Sequence, residues 1–312
     1  MVGEVAAPSL WRVAALRALL VQQGVQVVHA HGMFSTLAIG SLLAAHGAGI
    51  PSVTTHHSLL RHSPTLPAAW LTYRLFSRRA TVVTAVSRAA AADARRVSGR
   101  VDVPLLPNGF ERSVWAASRP HAVTASHRRA RVVSVMRLAA KKSPNDLIDA
   151  IPRVLARVGR DVVFTIIGDG PERSRLVRRA TRLGVASHIE FLGACDERRV
   201  ADVLSQCTLF ALPSRREAFG IALLEARAAR LPIVARDSGG VPEVVQHGRQ
   251  GLLAKTPGEF ADAIATLLAD EALRLRFAAA SGDGLDAFCW ERVVERHEAV
   301  YRQAATVLAG RS

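Results

Sequence analysis

The sequence contains little cysteine, little lysine and few aromatic residues for a chain of 312 residues. Its three cysteines, Cys195, Cys207 and Cys289, are odd in number and far apart, and none has a second cysteine or a histidine at the spacing of metal ligands. This pattern argues against a disulfide framework and a cysteine-based metal site, and it is typical of a reducing compartment. We therefore expect a cytoplasmic protein.

Long apolar runs are also missing. No stretch of eighteen apolar residues is present, and the first residues lack the charged and apolar regions of a signal peptide, so we expect neither a membrane span nor secretion. Nearly half of the residues (49%) are nonetheless hydrophobic, which is enough for a sizeable core at this length. The length favours two domains.

Acidic residues are scarce in the first part of the chain. Only three of the 41 basic residues are lysines, and residues 1–125 contain 12 arginines against 4 acidic residues. This charge suits an anionic partner such as a lipid surface, a nucleic acid or a phosphorylated substrate, although a general over-use of arginine explains it equally well. With only 5% aromatic residues and no recognised binding motif, nucleic acid is the least favoured of these partners.

Short valine-rich runs alternate with stretches of helical periodicity in two series. The first series is VQVVHA, PSVTTH, TVVTAV and VDVPLL, at 25–30, 51–56, 81–86 and 101–106. The second is RVVSVM, VVFTIIG, HIEFLG, TLFALPS, LPIVAR and GLLA, at 131–136, 162–168, 188–193, 208–214, 231–236 and 251–254. This alternation predicts an α/β protein of two doubly wound parallel-sheet domains, in which ligands bind beyond the carboxyl ends of the strands. The polar segment 118–131 is the expected linker, which places the domains at 1–125 and 126–288.

The segment REAFGIALLEAR (216–227) carries two glutamates eight positions apart. We expect Glu217 to lie on a loop and a helix to begin near Gly220, so that Glu225 lies in its second turn. Gly220 lets a ligand approach the backbone, and the first N–H groups of the helix form an anion site. These are the N–H groups of Gly220, Ile221 and Ala222. The arrangement suits a ligand with hydroxyl groups at both ends and phosphate between them; two solvent-facing glutamates are the alternative.

Two further stretches point to the same crevice. Arg137 and Lys142 follow the predicted strand at 131–136, where two cations would meet a diphosphate. Gly239 and Gly240 precede another helix start and would supply a second set of backbone amides. Each signal is weak alone, because basic loops are commonly solvated and Gly-Gly is commonly a turn. We interpret the glycine-containing turn in IIGDGPE as structural.

Together these motifs resemble the retaining nucleotide-sugar glycosyltransferases of family four, which have the GT-B fold of two Rossmann-like domains that face a cleft. REAFGIALLEA resembles the E-x7-E signature of that family. RLAAKK resembles R-L-x-x-x-K, IIGDGPE resembles I-x-G-x-G-P, and LPNGFE resembles P-N-G-[IV]-[DE]. FCWERVVERHEAVYRQ resembles the closing helix, so the resemblance implies that residues 289–312 return towards the N-terminal domain.

The resemblance implies a role for each residue of the second-domain motifs. Glu217 would contact hydroxyl groups of the donor sugar, and Glu225 would contact those of the nucleotide ribose. Arg137 and Lys142 would neutralise the diphosphate leaving group without a metal ion, in agreement with the absence of an Asp-x-Asp pair. We therefore expect no metal and no cofactor beside a UDP- or GDP-sugar substrate, with retention of configuration by front-face attack. The amides that would hold the sugar and phosphate are those of Phe219, Gly220 and Ile221.

The first domain carries weaker matches. TTHHS resembles the family's T-x-H-[STGD], which implies that the catalytic His57 faces the donor sugar, while His56 falls in the variable position. HAHGMFS resembles the H-x-H strand end, so His31 would lie near the acceptor. Asn108 is expected first in a tight turn and second on the acceptor side. Histidines that merely cap strand ends are the alternative.

The chain departs from the family at its start. Family members open with a strand, a glycine-rich loop and a helix, whereas MVGEVAAPSLWRVAALRALL here leads directly into a later helix. We expect the first domain to lack its first strands, which would leave unpaired edges. Three explanations stay open: an upstream start of the gene, self-association or a partner that covers the gap, and decay of the enzyme.

The sequence therefore predicts a glycosyltransferase that moves a hexose from a nucleoside-diphosphate sugar to a hydroxyl group of a lipid, a glycan or a small molecule. The basic first domain favours peripheral contact with the inner face of an anionic membrane. The alternatives are a truncated, non-catalytic nucleotide-sugar-binding protein and a nucleic-acid binder.

Overall fold

The computed structural model describes residues 9–32, 35–59, 66–116, 129–159 and 161–310. The chain forms two compact units, unit 1 (Met1–Asn108 with Trp290–Ser312) and unit 2 (Gly109–Cys289). The boundary expected at 125/126 and most of the expected linker at 118–131 lie outside the described residues. The division of the structure falls earlier, at 108/109.

Nine strands alternate with helices in the part of the chain that the structure describes. The strands are β1 (Val28–His31), β2 (Ser52–His56), β3 (Val82–Ala85), β4 (Ala130–Val135), β5 (Val162–Ile167), β6 (Ile189–Gly193), β7 (Leu209–Leu212), β8 (Ile233–Arg236) and β9 (Gly251–Ala254). The α-helices are α1 (Leu10–Gln22), α2 (Thr36–Ala48), α3 (Leu66–Ser77), α4 (Arg88–Ser98), α5 (Arg112–Ala116), α6 (Pro144–Val158), α7 (Arg173–Arg182), α8 (Glu197–Ser205), α9 (Ile221–Ala228), α10 (Val241–Val244), α11 (Pro257–Ala269), α12 (Glu271–Ala280) and α13 (Trp290–Ala309).

Unit 1 contains a parallel sheet with the strand order β1-β2-β3. Every residue of β2 and β3 is buried, as expected for parallel strands that are covered on both faces. Serine hydroxyls cap the helices that follow, because Ser35 accepts from the N–H of Ala38 and Ser87 accepts from that of Ala90. These caps fix the points at which α2 and α4 leave the sheet.

The C-terminal helix α13 belongs to unit 1, although it follows the whole of unit 2 in sequence. Its Val300 and Ala304 pack in one apolar cluster with Val53 of β2 and Leu106. Burial of these side chains holds the helix on the sheet, and it brings the polar residues of α13 close to the carboxyl ends of β1 and β2.

The prediction of a strand at 101–106 is wrong. Only one bridge forms there, in which the N–H of Ala85 donates to the Pro104 carbonyl (3.1 Å) and that of Leu106 donates to the Ala85 carbonyl (2.8 Å). Pro104 has no N–H group, so the ladder does not continue past it. The other nine predicted strands are confirmed to within a few residues at their ends.

Unit 2 contains a six-stranded sheet with the order β6-β5-β4-β7-β8-β9, and every paired strand is parallel. The chain runs outwards from β4 to β5 and β6, and then returns to place β7 on the other side of β4. The strand order therefore reverses between β4 and β7, which is the position at which doubly wound sheets bind ligands. Two doubly wound parallel-sheet units confirm the predicted fold class.

The core of unit 2 joins α6 and α11 to the central strands. It contains fully buried side chains from all three elements, among them Ile148, Ile151, Phe164, Phe260 and Ile264. The rigid sheet and helices thus fix the two loops that leave β4 and β7. No helix of the described ranges has both the length and the apolar composition to cross a bilayer.

Candidate functional site

The turn after β4 carries Arg137 and Lys142. The backbone of the loop after β5 packs directly against this turn. A Cβ atom on Gly168 would lie 2.0 Å from the carbonyl oxygen of Met136, and one on Gly170 would lie 2.4 Å from that of Leu138. Only glycine permits so close an approach between two backbones. IIGDGPE thus acts on the site indirectly, since it holds the segment that carries the two cations.

Lys142 and Glu217 form an ion pair at the switch point, with 2.6 Å between Nζ and Oε2. Their side chains are 23% and 9% exposed, so the pair is largely shielded from water. Lys142 follows β4 and Glu217 follows β7, the two adjacent strands between which the order reverses. The structure therefore brings together a cation and an acid that the sequence analysis assigned to two different parts of one ligand. Arg137 is exposed on the same turn as Lys142.

The helix after Glu217 begins at Ile221, as predicted, with Gly220 as its N-cap at φ 95°. A Cβ atom at Gly220 would lie 2.9 Å from Cδ1 of Leu223, so both the conformation and the space require glycine. Ile221 is 44% exposed, and among the described residues neither its N–H nor that of Ala222 has a hydrogen-bond acceptor. The first turn of α9 therefore presents free N–H groups beside Glu217.

Phe219 fixes the same loop from the other side. Its side chain is 3% exposed, and its ring lies 5.6 Å from the ring of Phe288 in a T-shaped contact. Such aromatic pairs contribute about 1 kcal/mol beyond area burial. The predicted role of Phe219 is one of its backbone N–H, and the buried side chain explains how that backbone is held.

Gly240 does not present the free N–H that the sequence analysis expected. Its N–H donates to the backbone carbonyl of Glu217 (2.9 Å), and the Ser238 hydroxyl donates to the Ser214 carbonyl (3.0 Å). Gly239 lies at φ 56° in the turn between these bonds. This segment therefore ties the loop after β8 to the loop after β7, and the N–H of Gly240 is not available to a ligand.

Glu225 lies in the second turn of α9 and is partly buried. Burial, and to a lesser extent the charge of Glu197, raises the pKa of Glu225 to about 7. Its carboxyl group therefore carries a proton for part of the time at neutral pH, unlike an ordinary solvent-exposed glutamate.

Asp146 is a residue of the site that the sequence analysis missed. It is 7% exposed at the start of α6, where both of its oxygens accept from Arg215 (2.7 and 2.8 Å) and one also accepts from Arg236 (3.1 Å). Asp146 follows the Lys142 turn, Arg215 precedes Glu217, and Arg236 ends β8. One carboxylate thus joins three loops of the site, a connection that no local pattern shows.

Arg227 is a second residue that was missed. Only 3% exposed, it donates to the backbone carbonyls of Ser281 (2.9 Å), Val244 (2.7 Å) and Asp283. Burial lowers its pKa to about 10. The guanidinium anchors α9 to two neighbouring segments and so fixes the helix that carries Glu225. An arginine within an apolar helix face is the sequence signal that would have indicated it.

In unit 1 the structure brings His31, His57 and Asn108 together. His31 Nδ1 lies 2.9 Å from His57 Nε2, and Asn108 is close enough to His57 to oppose part of the lowering of its pKa by burial. His29 lies beside them, with ring centroids 4.1 Å from His31 and 5.6 Å from His297 of α13. We call His29, His31, His57 and His297 the histidine cluster; the sequence analysis found two of its members.

The surroundings favour the neutral form of three of these rings, those of His29, His31 and His57. Burial lowers the pKa of His29 to about 3 and that of His57 to about 4, and the neighbouring rings add to both shifts. Over the described ranges, no group of three or more His, Cys, Asp or Glu side chains has the arrangement of a metal site.

His56 lies apart from the histidine cluster, although it precedes His57 in the sequence. It is fully buried at the end of β2, with its ring 5.5 Å from that of Tyr73. Among the described residues, neither ring nitrogen has a hydrogen-bond partner. Burial lowers the pKa of His56 to about 4, so the ring packs as a neutral group.

Comparison with known proteins places the chain in a family. Residues 120–282 match the family model of the glycosyl transferases group 1, and residues 3–114 match that of glycosyltransferase family 4. The N-acetyl-alpha-D-glucosaminyl L-malate synthase of Bacillus anthracis is 28% identical over 90% of this chain and 75% of its own length. A GDP-mannose-dependent alpha-(1-6)-phosphatidylinositol monomannoside mannosyltransferase of Mycobacterium tuberculosis is 36% identical over 51% of this chain, which spans 43% of that relative.

Solved structures show the same fold. Anabaena Alr3699/HepE in complex with UDP and glucose aligns over 95% of this chain and 83% of its own, with a TM-score of 0.80 and 24% identity. The two Rossmann-like units therefore have the arrangement of elements found in GT-B glycosyltransferases. Because a family model covers more than half of the sequence, the chain belongs to the glycosyl transferases group 1 family.

Proposed function

We propose that the protein transfers a hexose from a nucleoside-diphosphate sugar to an acceptor hydroxyl group. The observation that carries this proposal is the Lys142–Glu217 pair at the switch point of unit 2, beside the free N–H groups at the start of α9. A cation, an acid and helix N–H groups within one loop cluster suit a ligand that has both phosphate and hydroxyl groups. The names of relatives support it, since one acts with GDP-mannose and one solved neighbour contains UDP and glucose.

In this proposal the donor replaces the internal ion pair by two new interactions. Lys142 turns from the carboxylate to the diphosphate, and Arg137 adds a second cation to it. Glu217 is then free to accept hydrogen bonds from hydroxyl groups of the sugar. Because the two cations stabilise the charge that develops on the leaving diphosphate, bond breaking at the anomeric carbon does not depend on a metal ion. We expect transfer to be unchanged by EDTA.

In the proposed complex, the carboxylate of Glu225 accepts hydrogen bonds from the hydroxyl groups of the ribose. A carboxylate accepts hydrogen bonds from two adjacent hydroxyl groups, whereas the protonated acid accepts fewer. The raised pKa of Glu225, about 7, therefore makes donor binding stronger as the pH rises from 6 to 8. The N–H groups of Phe219, Gly220, Ile221 and Ala222 hold the phosphate and the sugar, and the Gly239 turn supports them.

We further propose that the anomeric configuration is retained, with attack on the same face as the departing diphosphate. The support for this is the resemblance of REAFGIALLEA to the signature of retaining enzymes. Proton NMR of the product, recorded before the anomers equilibrate, distinguishes the two outcomes. An inverted anomer contradicts this part of the proposal and leaves sugar transfer itself intact.

Calorimetry with UDP-glucose, UDP-N-acetylglucosamine and GDP-mannose tests donor binding, and release of UDP or GDP tests turnover. We expect the wild-type protein to bind and turn over at least one donor, and Glu217→Ala to lose turnover. Glu271→Ala, which removes an exposed carboxylate of the same unit, is the matched control. Binding without turnover in the wild type supports the non-catalytic binding protein instead, and no binding of any donor contradicts the proposal.

We also propose that unit 1 contacts an anionic membrane through α1. No residue of this helix is buried; Leu10 is 87% and Trp11 is 69% exposed, and the guanidinium of Arg12 lies over the Trp11 ring. Vesicles that contain phosphatidylglycerol should bind the protein more strongly than phosphatidylcholine vesicles, and Trp11→Ser should weaken binding. Equal binding to both contradicts the proposal, and a dimer in light scattering that Trp11→Ser dissociates indicates self-association through α1.

A further inference from the structure

Unit 2 has a second cleft, beyond the carboxyl ends of β8 and β9, the last two strands of its sheet. Its volume is about 680 Å³, which lies within the usual range of small-molecule sites, about 300–1,000 Å³. Five polar side chains line it: Asp237 after β8, Gln246 and His247 after α10, Lys255 after β9, and Glu259 in the first turn of α11. None of them belongs to the switch-point site. We call this place the β8–β9 cleft.

The ring of His247 is held in one tautomer by the edge of the sheet. β9 is an edge strand, and the N–H of its Leu253 donates to Nδ1 of His247 (3.0 Å). A backbone N–H can only donate, so Nδ1 carries no proton and Nε2 carries one. The Nε2–H group of His247 is therefore a hydrogen-bond donor, and within the described ranges it has no acceptor.

Backbone contacts hold the charged residues of the cleft in place. The N–H of Lys255 donates to Oε2 of Glu259 (2.8 Å), and the carbonyl of Lys255 accepts from the guanidinium of Arg236. A carboxylate has about four acceptor positions, so Glu259 keeps others for a ligand. In the part of the chain that the structure describes, neither the ammonium group of Lys255 nor the carboxylate of Asp237 has an ion-pair partner. These polar ends are therefore left to water or to a ligand.

The charges of the cleft favour a neutral ligand. The carboxylates of Asp237 and Glu259 accept hydrogen bonds, whereas Lys255 and the Nε2–H group of His247 donate them. A phosphate or carboxylate group would meet the two acids, and an ammonium group would meet the lysine. A hydroxyl group both donates and accepts, so a ligand with several hydroxyl groups satisfies both kinds of partner. Across the described ranges, no group of side chains has the arrangement of a metal site.

Part of the lining is apolar. Pro242, Val245 and Leu253 lie in the wall of the cleft together with the polar groups. A pyranose ring has C–H groups as well as hydroxyl groups, so its C–H face packs on these side chains while its hydroxyl groups bond to the polar ones. The β8–β9 cleft therefore offers both kinds of contact that a sugar ring needs.

We propose that the β8–β9 cleft binds a neutral saccharide, whose hydroxyl groups donate to the two carboxylates and accept from the ammonium group and the imidazole N–H. This carbohydrate site is separate from the proposed donor site and contains none of its residues. The inference goes beyond the proposed function, because a saccharide binds in the cleft whether or not the protein transfers a sugar.

Nuclear magnetic resonance of the full chain labelled with ¹⁵N-lysine locates the bound sugar. The sequence has only three lysines, so the spectrum has three backbone signals: Lys255 reports on the cleft, and Lys141 and Lys142 report on the switch point. Lys255→Met identifies the signal of Lys255 by its loss. The probes are glucose, mannose, N-acetylglucosamine and maltose. We expect at least one of them to shift the Lys255 signal. If none of the four shifts it, the proposal is overturned.

Charged sugars test the selectivity of the cleft. Glucuronate and glucosamine bring a negative and a positive charge on a ring like that of glucose. We expect the wild type to bind each of them at least about tenfold more weakly than the best neutral probe, because each meets a like charge. Asp237→Asn should narrow this difference for glucuronate, and Lys255→Met should narrow it for glucosamine. Equal affinity of the wild type for neutral and charged sugars overturns the proposal.

Calorimetry with the best neutral probe measures the contribution of single residues. Asp237→Leu and Lys255→Met should each weaken its binding about three- to tenfold, in line with the loss of one hydrogen bond. Lys141→Met, which removes another exposed lysine of unit 2, is the matched control and should bind the sugar as the wild type does. Equal affinity of the wild type and both cleft variants overturns the proposal.

Nucleotide-sugar binding separates this inference from the proposed function. The cleft variants should bind the donor as tightly as the wild type, because their residues lie outside the proposed donor site. If the donor binds but no saccharide shifts the Lys255 signal, the inference fails and the proposed function stands. If a neutral saccharide shifts that signal but no nucleotide sugar binds, the proposed function fails and the carbohydrate site stands.

Discussion

Ion pairs hold the candidate site of unit 2 together, whereas contacts between histidine rings hold that of unit 1 together. In unit 2, Lys142 pairs with Glu217, and the buried Asp146 pairs with the buried Arg236 and the exposed Arg215. In unit 1, the histidine cluster lies against threonine and tyrosine hydroxyls, and the pKa values of its buried rings are lowered. We therefore expect unit 2 to be most sensitive to substitutions that remove a charge, and unit 1 to be most sensitive to low pH.

This difference follows from what each site is proposed to bind. A diphosphate carries charge that only cations or N–H groups compensate, so unit 2 needs fixed positive groups and acids that hold them in place while the site is empty. An alcohol is uncharged and needs only directed hydrogen bonds, which neutral imidazoles and hydroxyls provide. This contrast would be wrong if removal of a charge impaired the site of unit 1, or if it left the site of unit 2 unaffected.

The largest effect is expected for Lys142→Met. Loss of the cation that we propose to meet the leaving group should lower kcat by about 10²–10³-fold, in line with the loss of one preorganised electrostatic group. Lys141→Met removes the neighbouring lysine, whose side chain is exposed, and should leave kcat almost unchanged. Steady-state release of UDP or GDP measures both. Equal losses in the two variants would mean that general positive charge matters and the Lys142–Glu217 pair does not.

Asp146→Asn should destabilise unit 2 by about 3 kcal/mol, because it leaves the largely buried guanidinium of Arg236 without its carboxylate. Arg215 adds little to this loss, because its side chain is 54% exposed and is solvated without its partner. Asp262→Asn is the matched control, since Asp262 also pairs with two arginines, Arg153 and Arg157, but on the surface. Its loss should be clearly smaller. Urea denaturation measures both variants, and similar losses would show that burial does not distinguish the two networks.

Acidification should destabilise unit 1 through His56. Its pKa is lowered from 6.5 to about 4, so the unfolded chain takes up a proton that the folded chain does not bind until lower pH. The stability contribution is therefore complete above pH 6.5 and is lost as the pH falls towards 4. Between pH 7 and pH 5 this amounts to about 2 kcal/mol. His56→Leu should flatten the pH dependence of thermal unfolding, and an unchanged slope would contradict the assignment.

The smallest effect compares two tyrosines of unit 1. Tyr301→Phe removes the hydroxyl that forms a hydrogen bond with Nδ1 of His29 and should cost about 1 kcal/mol. Tyr73→Phe removes a buried hydroxyl that has no partner among the described residues, so its stability should be unchanged or slightly increased. Differential scanning calorimetry resolves both. A larger loss for Tyr73→Phe would show that its hydroxyl has a partner after all.

Most of the fold was predictable because parallel strands that are covered on both faces read as short apolar runs. The one failure, 101–106, has the same apolar character, but Pro104 stops the ladder after one bridge. The strand ends also located the loops of the site, since both Lys142 and Glu217 directly follow predicted strands. Local pattern and sheet geometry were sufficient for this much.

What the sequence did not show are contacts between distant residues. Asp146 and Arg215 are 69 positions apart, and Tyr301 is 272 positions from His29. Neither pair has a spacing or a motif that marks it. The hydrogen bond from Gly240 N–H to the Glu217 carbonyl could not be predicted for the same reason. A glycine pair before a helix is equally compatible with a ligand-binding turn and with a turn that bonds to a neighbouring loop.

Under the proposed function, the short bond between Lys142 and Glu217 also affects which anions bind at the switch point. Inorganic phosphate or a bare nucleoside diphosphate gains the ammonium group only by stripping it from a carboxylate, and brings nothing for that carboxylate to bind. A nucleotide that still carries its sugar compensates both partners at once. Under the proposed function, the ion pair therefore favours an intact sugar donor over inorganic phosphate or a bare nucleoside diphosphate.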